Sequence, residues 1–397
     1  MRIVDVCAFY TPHGGGVKTY IEQKLRLGPE LGHEIVILAP GDKREVIERG
    51  PGARIITLPS PRFPLDRKYW YFADEAALHA ELDALKPDFV EASSPWRSPA
   101  MVARWKGDVP RALVMHADPL SAYAYRWFEP LFSRKTIDRR FEQFWDHLRE
   151  LSQVYDRVVC ASSELCQRLE DGGVANTVLH PMGVEEGLFS KDRRDPDVRR
   201  RLLELCGLPE SATLLIGVGR LSAEKRWPLV VDAVTAASHG HPIGLVILGA
   251  GNERSRIAKR IFGNPHIRML HPERDRIRFA TILASADALV HGCEAETFCL
   301  SAAEARASGV PVIVPDRGGA ADHAADGAGL TYTAGSAEAA AAAIVHLVDG
   351  PPLPLASVPP SETMRGHFAK LFADYSGVKP HAHIAPAIDS ARASEAM

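Results

Sequence analysis

No apolar run in this 397-residue chain reaches bilayer-spanning length, and no block of like charge dominates it. Methionine is followed at once by Arg2 and then by Ile3-Val4-Asp5-Val6, too short and too interrupted a stretch for a signal peptide. The expectation is a cytoplasmic protein that meets a membrane only from its surface, peripherally on the inner face. The formal net charge is −3, so there is no global field to draw in nucleic acid, and an anion site must come from local arrangement. There is no Cys-x-x-Cys pair. The six cysteines, Cys7, Cys160, Cys166, Cys206, Cys293 and Cys299, sit at no zinc-like spacing with histidine. They read as small buried hydrophobes or free thiols, with neither a disulfide nor a structural metal expected.

What is present is an ordinary globular composition, 46% apolar and 24% charged. The chain is too long for one core, which implies two domains or slightly more. Short apolar runs alternate with helix-length amphipathic stretches. In the first half the strands are Ile3 to Phe9, Glu34 to Ala39, Arg54 to Leu58, Phe89 to Ala92, Ala112 to His116 and Arg157 to Ala161. The second half repeats the scheme from Leu214 to Pro315. Continuously apolar strands separated by helices predict parallel sheets covered on both faces. The fold class is therefore α/β, with two Rossmann-like domains facing across a cleft. The expected boundaries are 1–182, a polar join at 183–210, and 211–350. A helix at 361–376 is expected to pack back on the first domain, followed by a disordered tail at 378–397.

Two stretches carry chemistry. Gly217-Val-Gly-Arg-Leu-Ser-Ala-Glu-Lys225 follows an apolar strand, so Gly219 lets backbone approach a ligand while Arg220 and Lys225 place two cations at one strand mouth. That suits a diphosphate; the plainer reading is a tight turn with a solvated basic flank. In Gly292-Cys-Glu-Ala-Glu-Thr-Phe-Cys-Leu-Ser-Ala-Ala-Glu304, Glu296 precedes a helix whose first free amides begin at Thr297, Phe298, Cys299 and Leu300. Glu296 could simply cap that helix. Glu304 falls two turns further along a small, apolar face, where a carboxylate needs a partner such as sugar or ribose hydroxyls.

In this order, with Gly249-x-Gly251 between them and Gly309-Val-Pro-Val after them, the stretches resemble glycosyltransferase family 4, retaining enzymes of the GT-B fold. Weaker similarities are Gly14-Gly-Gly-Val17, His116-Ala-Asp118 and Pro181-Met-Gly-Val-Glu-Glu-Gly-Leu-Phe189. The resemblance implies that Arg220 and Lys225 hold the donor diphosphate and neutralise the leaving group. It implies that Glu296 bonds donor-sugar hydroxyls beside the amides of Thr297 to Cys299, and that Glu304 binds the ribose. The loop of Gly14, Gly15 and Gly16 would close over the phosphates, and His116 would sit near the reacting face. No cofactor and no metal are implied: cations already stand where the leaving group forms, and the nucleotide sugar is a co-substrate. The chain departs from the family's Glu-Gly-Phe-Gly at Thr297 and Cys299, and Thr297 adds bulk that could narrow the choice of sugar.

The reading is thus a hexosyltransferase that moves sugar from a UDP- or GDP-linked donor to a lipid-linked or glycan acceptor. Between Tyr123 and Arg149, eight aromatics interleave with Arg126, Arg134, Lys135, Arg139 and Arg140. The first reading of that segment is a set of aromatics completing a core; the second is docking to an anionic bilayer or lipid-linked acceptor. Three rivals remain. An NAD-linked oxidoreductase would want a Gly-x-Gly-x-x-Gly at a helix start, which is missing. A sugar-nucleotide epimerase would want an acid/base carboxylate set, and a dead binding module would have no need of all four of Arg220, Lys225, Glu296 and Glu304.

Overall fold

The computed structural model describes residues 1–8, 10, 15–63, 70–93, 97–129, 131–354 and 361–379. Gly14, part of the Pro-rich segment and nearly all of the expected tail lie outside them. The chain divides into two compact units, one of Met1–Pro181 with the described residues from Arg365 on, the other of Met182–Met364.

In the first unit, β1 (Arg2–Cys7), β2 (Glu34–Gly41), β3 (Glu45–Gly50), β4 (Ala53–Pro59), β5 (Phe89–Ser93), β6 (Arg111–Val114), β7 (Arg157–Cys160) and β8 (Thr177–Leu179) form one sheet. Their order is β3-β4-β2-β1-β5-β6-β7-β8. Every neighbouring pair is parallel except β3 and β4. In the second unit, β9 (Thr213–Val218), β10 (Ile243–Leu248), β11 (Ile267–Leu270), β12 (Ala288–Val290), β13 (Val312–Pro315) and β14 (Gly329–Tyr332) form a parallel sheet ordered β11-β10-β9-β12-β13-β14. Central strands such as β10 are buried throughout, as strands covered by helices on both faces must be. Each sheet reverses its strand order once, between β1 and β5 and between β9 and β12. Ligands of doubly wound sheets bind outside the strand carboxyl ends at such a reversal.

The strands that the apolar pattern misses are those that do not bury a continuous row. The edge strand β3 is exposed at every residue, and β8 is three partly exposed residues. The stretch expected to be a polar join also behaves differently. Asp195 caps a helix at Pro196–Leu205, whose Leu202 and Leu203 are buried, and Arg194 and Arg199 pair with Asp287 at 2.8 and 2.6 Å. Arg194 and Arg199 are thus tied to the second unit, while Asp192, Asp197, Arg200 and Arg201 face solvent. The same run holds an Asp-x-Asp spacing at Asp195 and Asp197, but Asp195 accepts hydrogen bonds from the amides of Asp197 and Val198, which is capping.

The helix Met364–Gly377 packs in the first unit, where Tyr375 stacks on Phe89 at 4.0 Å and Asp374 pairs with Arg157 at 3.1 Å. Strand β6 stops at Val114, two residues before His116. That histidine packs edge-on against Tyr20 at 4.8 Å, and Tyr20 Oη lies 3.1 Å from His367 Nε2. Burial pushes the His116 imidazole down to about 4, so it is neutral at physiological pH.

The segment after β6 divides its aromatics. Tyr125 and Trp145 are buried, whereas Tyr123, Trp127, Leu131 and Phe132 are 50%, 58%, 76% and 52% exposed. The core reading therefore holds for the first pair and fails for the outward row.

At the β1/β5 reversal, Lys24 of the helix Gly16–Glu30 donates to Asp5 at 2.8 Å and to Glu91, and Ser93 donates to Asp5 at 2.6 Å. All three charged residues are 0% exposed. Removing one partner of a buried ion group strands the others without water. Lys24→Ala should lower unfolding stability by about 3–5 kcal/mol in urea titration. A midpoint equal to wild type would show that the group is relaxed by solvent.

Candidate active site

The second-unit site grows from the two strands flanking the β9/β12 reversal. After β9 the chain turns at Gly219, and a short 3-10 turn, Ala223–Lys225, leads into the helix Trp227–Ala237. The turn is fixed by Trp227, which is 1% exposed and donates its indole N–H to the Arg220 carbonyl at 2.7 Å. A Cβ on Gly217 would stand 2.6 Å from that indole, so glycine is needed there for packing. Gly249 and Gly251 likewise lie against the backbone of Gly219 and Leu221, which gives the generic Gly-x-Gly a packing role.

After β12 come His291, Gly292 and an irregular loop to Cys299, which precedes the helix Leu300–Ala307. Gly319 donates its amide to the Glu296 carbonyl at 2.7 Å, and His323 Nε2 lies 2.7 Å from the Phe298 carbonyl. The His323 ring also meets the Phe298 ring edge-on at 4.7 Å. The loop is thus held from the β13 side before any ligand arrives.

The two loops are joined by ion pairs in register. Lys225 donates to Glu296, and the next residue, Arg226, donates to Glu294. His291 Nε2 stands 3.1 Å from the same Glu296 oxygen that Lys225 contacts. Burial opposes charge on all three, yet the mutual fields prevail. Lys225 is held above its ordinary value by Glu296, and Glu296 is pulled well below the usual carboxylate range by Lys225 and His291. His291, against burial, is raised by Cys299, Cys293 and Glu296 around it. The result is one carboxylate between two cations, a preorganised charged cluster of the kind that serves developing charge.

Other expected residues stand apart from this cluster. The Arg220 side chain is 62% exposed, with Glu224 as its neighbour at 3.4 Å. Glu304 has a partner within the chain, Arg276 Nη2 at 3.1 Å, and Arg276 also reaches Glu185 at 3.5 Å. Burial still pushes the Glu304 carboxyl up to about 7, with Arg276 opposing. Cys299 sits at φ 71°, a left-handed conformation favouring the glycine usual in the family motif. In the first unit, Gly15 and Gly16 lie at the start of the helix following β1, beside the β1/β5 reversal. A Cβ on Gly15 would meet nothing within 4 Å, so packing does not demand glycine there.

Sequence reasoning passed over His291, Arg226, Glu294, His323 and Arg276. The pairing of adjacent Lys225-Arg226 with Glu294-Ala-Glu296 had a visible signal in its alternation. Arg276 and His323 had none, because Glu304 and Phe298, their partners, lie far away in sequence; His291 stands within the same segment as Glu296 and carried no mark beyond being a histidine at a strand end.

Two family profiles cover the chain: Glycosyltransferase Family 4 at residues 14–186 and Glycosyl transferases group 1 at residues 204–357. A GDP-mannose-dependent alpha-(1-6)-phosphatidylinositol dimannoside mannosyltransferase of Mycobacterium tuberculosis is 32% identical over 320 residues, spanning 79% of each chain. The chain belongs to glycosyltransferase family 4. A GDP-mannose-dependent alpha-mannosyltransferase of Corynebacterium glutamicum is 28% identical, covering 81% of this chain and 74% of its own length. Among solved structures, sucrose-phosphate synthase from Thermosynechococcus elongatus matches with TM-score 0.69, 20% identity and 94% of each chain. The E. coli trehalose-6-phosphate protein bound with UDP-2-fluoro glucose matches with TM-score 0.67 at 14% identity, covering 96% of this chain and 100% of its own. The glycosyltransferase shares the GT-B fold class of these neighbours. Among its described residues, no helix is long and apolar enough to cross a membrane.

Glu304 yields a pH prediction. A carboxyl raised to about 7 in the folded state and ordinary in the unfolded one binds its proton more tightly when folded. Its stabilising contribution is complete below the unfolded value and is lost as pH rises through about 7. Glu304→Gln should therefore gain stability over wild type across that interval in urea titrations at a series of pH values. A constant difference from acid to neutral pH would contradict the raised carboxyl.

Proposed function

We propose that this glycosyltransferase uses GDP-mannose as donor and transfers the hexose, with retention, to a lipid-linked or glycan acceptor in glycoconjugate synthesis. The observation that carries the reading is the Lys225–Glu296 contact at the β9/β12 reversal, where doubly wound folds bind nucleotides. The mannosyltransferases similar to this chain are named for GDP-mannose dependence, which favours guanosine over uridine. Transfer builds positive charge on the sugar and negative charge on the departing diphosphate. Lys225, with the exposed Arg220 exchanging its contact with Glu224 for phosphate, would neutralise the diphosphate, a contribution of about 3–4 kcal/mol for a strong donor. Glu296, kept ionised by Lys225 and His291, would accept hydrogen bonds from sugar hydroxyls. Glu304 would meet the ribose, exchanging part of its contact with Arg276. The incoming hydroxyl would enter on the leaving-group face and give its proton to a phosphate oxygen, with no divalent metal needed.

The acceptor side rests on the outward row Tyr123, Trp127, Leu131 and Phe132 of the first unit. An exposed row of aromatic and aliphatic side chains beside Arg126, Lys135, Arg139 and Arg140 suits peripheral attachment to an anionic bilayer carrying the acceptor.

Each half has its own test. In thermal-shift measurements, GDP and GDP-mannose should raise the melting temperature, with EDTA making no difference; UDP, UDP-glucose and NAD should do so less. A shift that EDTA abolishes, or one with NAD alone, would contradict the donor reading. In vesicle co-sedimentation, the enzyme should pellet with phosphatidylglycerol-rich vesicles and not with neutral ones, and Trp127→Ser with Leu131→Ser should release it. Unchanged pelleting of that double variant would remove the row from the membrane contact.

A further inference from the structure

Three donor atoms of three chemical kinds converge under the loop that carries Glu296. The imidazole of His291, the carboxylate of Glu296 and the thiol of Cys299 all lie within 4.8 Å of one another. His291 and Cys299 are 1% and 4% exposed. His291 Nε2 is buried, stands 3.1 Å from Glu296 Oε1 and completes no well-formed hydrogen bond. The backbone points the same way. Cys299 holds a left-handed conformation that strains a residue with a Cβ and costs glycine nothing. The chain bears that strain and places a thiol at the cluster. The Cys293 thiol also adjoins His291.

Nitrogen, oxygen and sulfur ligands in one pocket are the set that zinc and its soft neighbours prefer, while magnesium and calcium want oxygen alone. Three protein ligands leave the fourth tetrahedral position for water. We propose that His291, Glu296 and Cys299 form a binding site for a soft divalent cation, exclusive of the Lys225–Glu296 ion pair. On binding, the Cys299 thiol and the His291 imidazolium each give a proton to solvent, and the thiolate sulfur and the freed imidazole nitrogen bond the metal. A dication on Glu296 repels the Lys225 ammonium from the oxygen it now holds. Occupancy therefore disarms the cation on which the proposed donor site depends. The site is inhibitory and not catalytic, and that consequence alone rests on the proposed function.

The test reads binding directly, with no nucleotide present, so its failure is separate from failure of the donor reading. Purified full-length enzyme in chelator-free buffer is titrated with Co2+ and followed by visible ligand-field and thiolate charge-transfer absorption, then back-titrated with Zn2+. The expected result is a saturable tetrahedral-type spectrum at one equivalent, displaced by Zn2+. It should be lost in Cys299→Gly, the residue best suited to that backbone, and kept in Cys166→Ser, a thiol of the other unit. Lys225→Ala, which removes the competing ammonium, should bind Co2+ about tenfold tighter or more. Circular-dichroism melts confirm that each variant is folded. No thiolate spectrum in the folded wild type, its survival in Cys299→Gly, or unchanged affinity in Lys225→Ala would each overturn the proposal.

Discussion

The second unit is organised around one carboxylate held between two cations. Glu296 receives Lys225 from the loop after β9 and faces His291 at the end of β12, so a single oxygen ties together the two strands that flank the order reversal. An isolated buried carboxylate would be costly, and an isolated buried ammonium equally so. Together they form a cluster that stays charged out of bulk water. The second rung, Arg226 with Glu294, repeats the contact one residue on and fixes the spacing of the loops. Trp227 and Gly217 set the first loop, and Gly319 and His323 set the second.

That arrangement explains why the glycines and the charges come as one motif. The charged groups converge only if the backbone of each loop can approach its neighbour, and a Cβ at Gly217, Gly249 or Gly319 would push the loops apart. The first unit solves a similar problem at its own reversal with a different set, Asp5, Lys24 and Glu91, which is wholly buried. The contrast separates roles. The buried trio holds helix to sheet, whereas Lys225 and Glu296 keep 15% and 19% of their side chains exposed and can meet a ligand.

Much of this was legible in the sequence, and the reason is local. Continuously apolar strands such as β9 and β10 announce themselves by composition, and the spacing of Gly217 to Lys225 and of Glu296 to Glu304 reads as a motif because each lies on one short segment. What was illegible depends on partners far along the chain. Nothing near Glu304 foretells Arg276, and nothing near Phe298 foretells His323. Strand β3 has no buried face to write a pattern. Within the polar join, nothing nearby foretells that Arg194 and Arg199 pair with Asp287, some ninety residues away.

Whether Lys225 binds the donor's diphosphate is read by calorimetric titration of GDP, in EDTA-containing buffer, into wild type and Lys225→Ala. Wild type should bind tightly, and the folded variant should lose at least about tenfold in affinity, or about 1.4 kcal/mol. Equal affinity in the two proteins would contradict that role, and Lys225 would then be a structural partner of Glu296 alone.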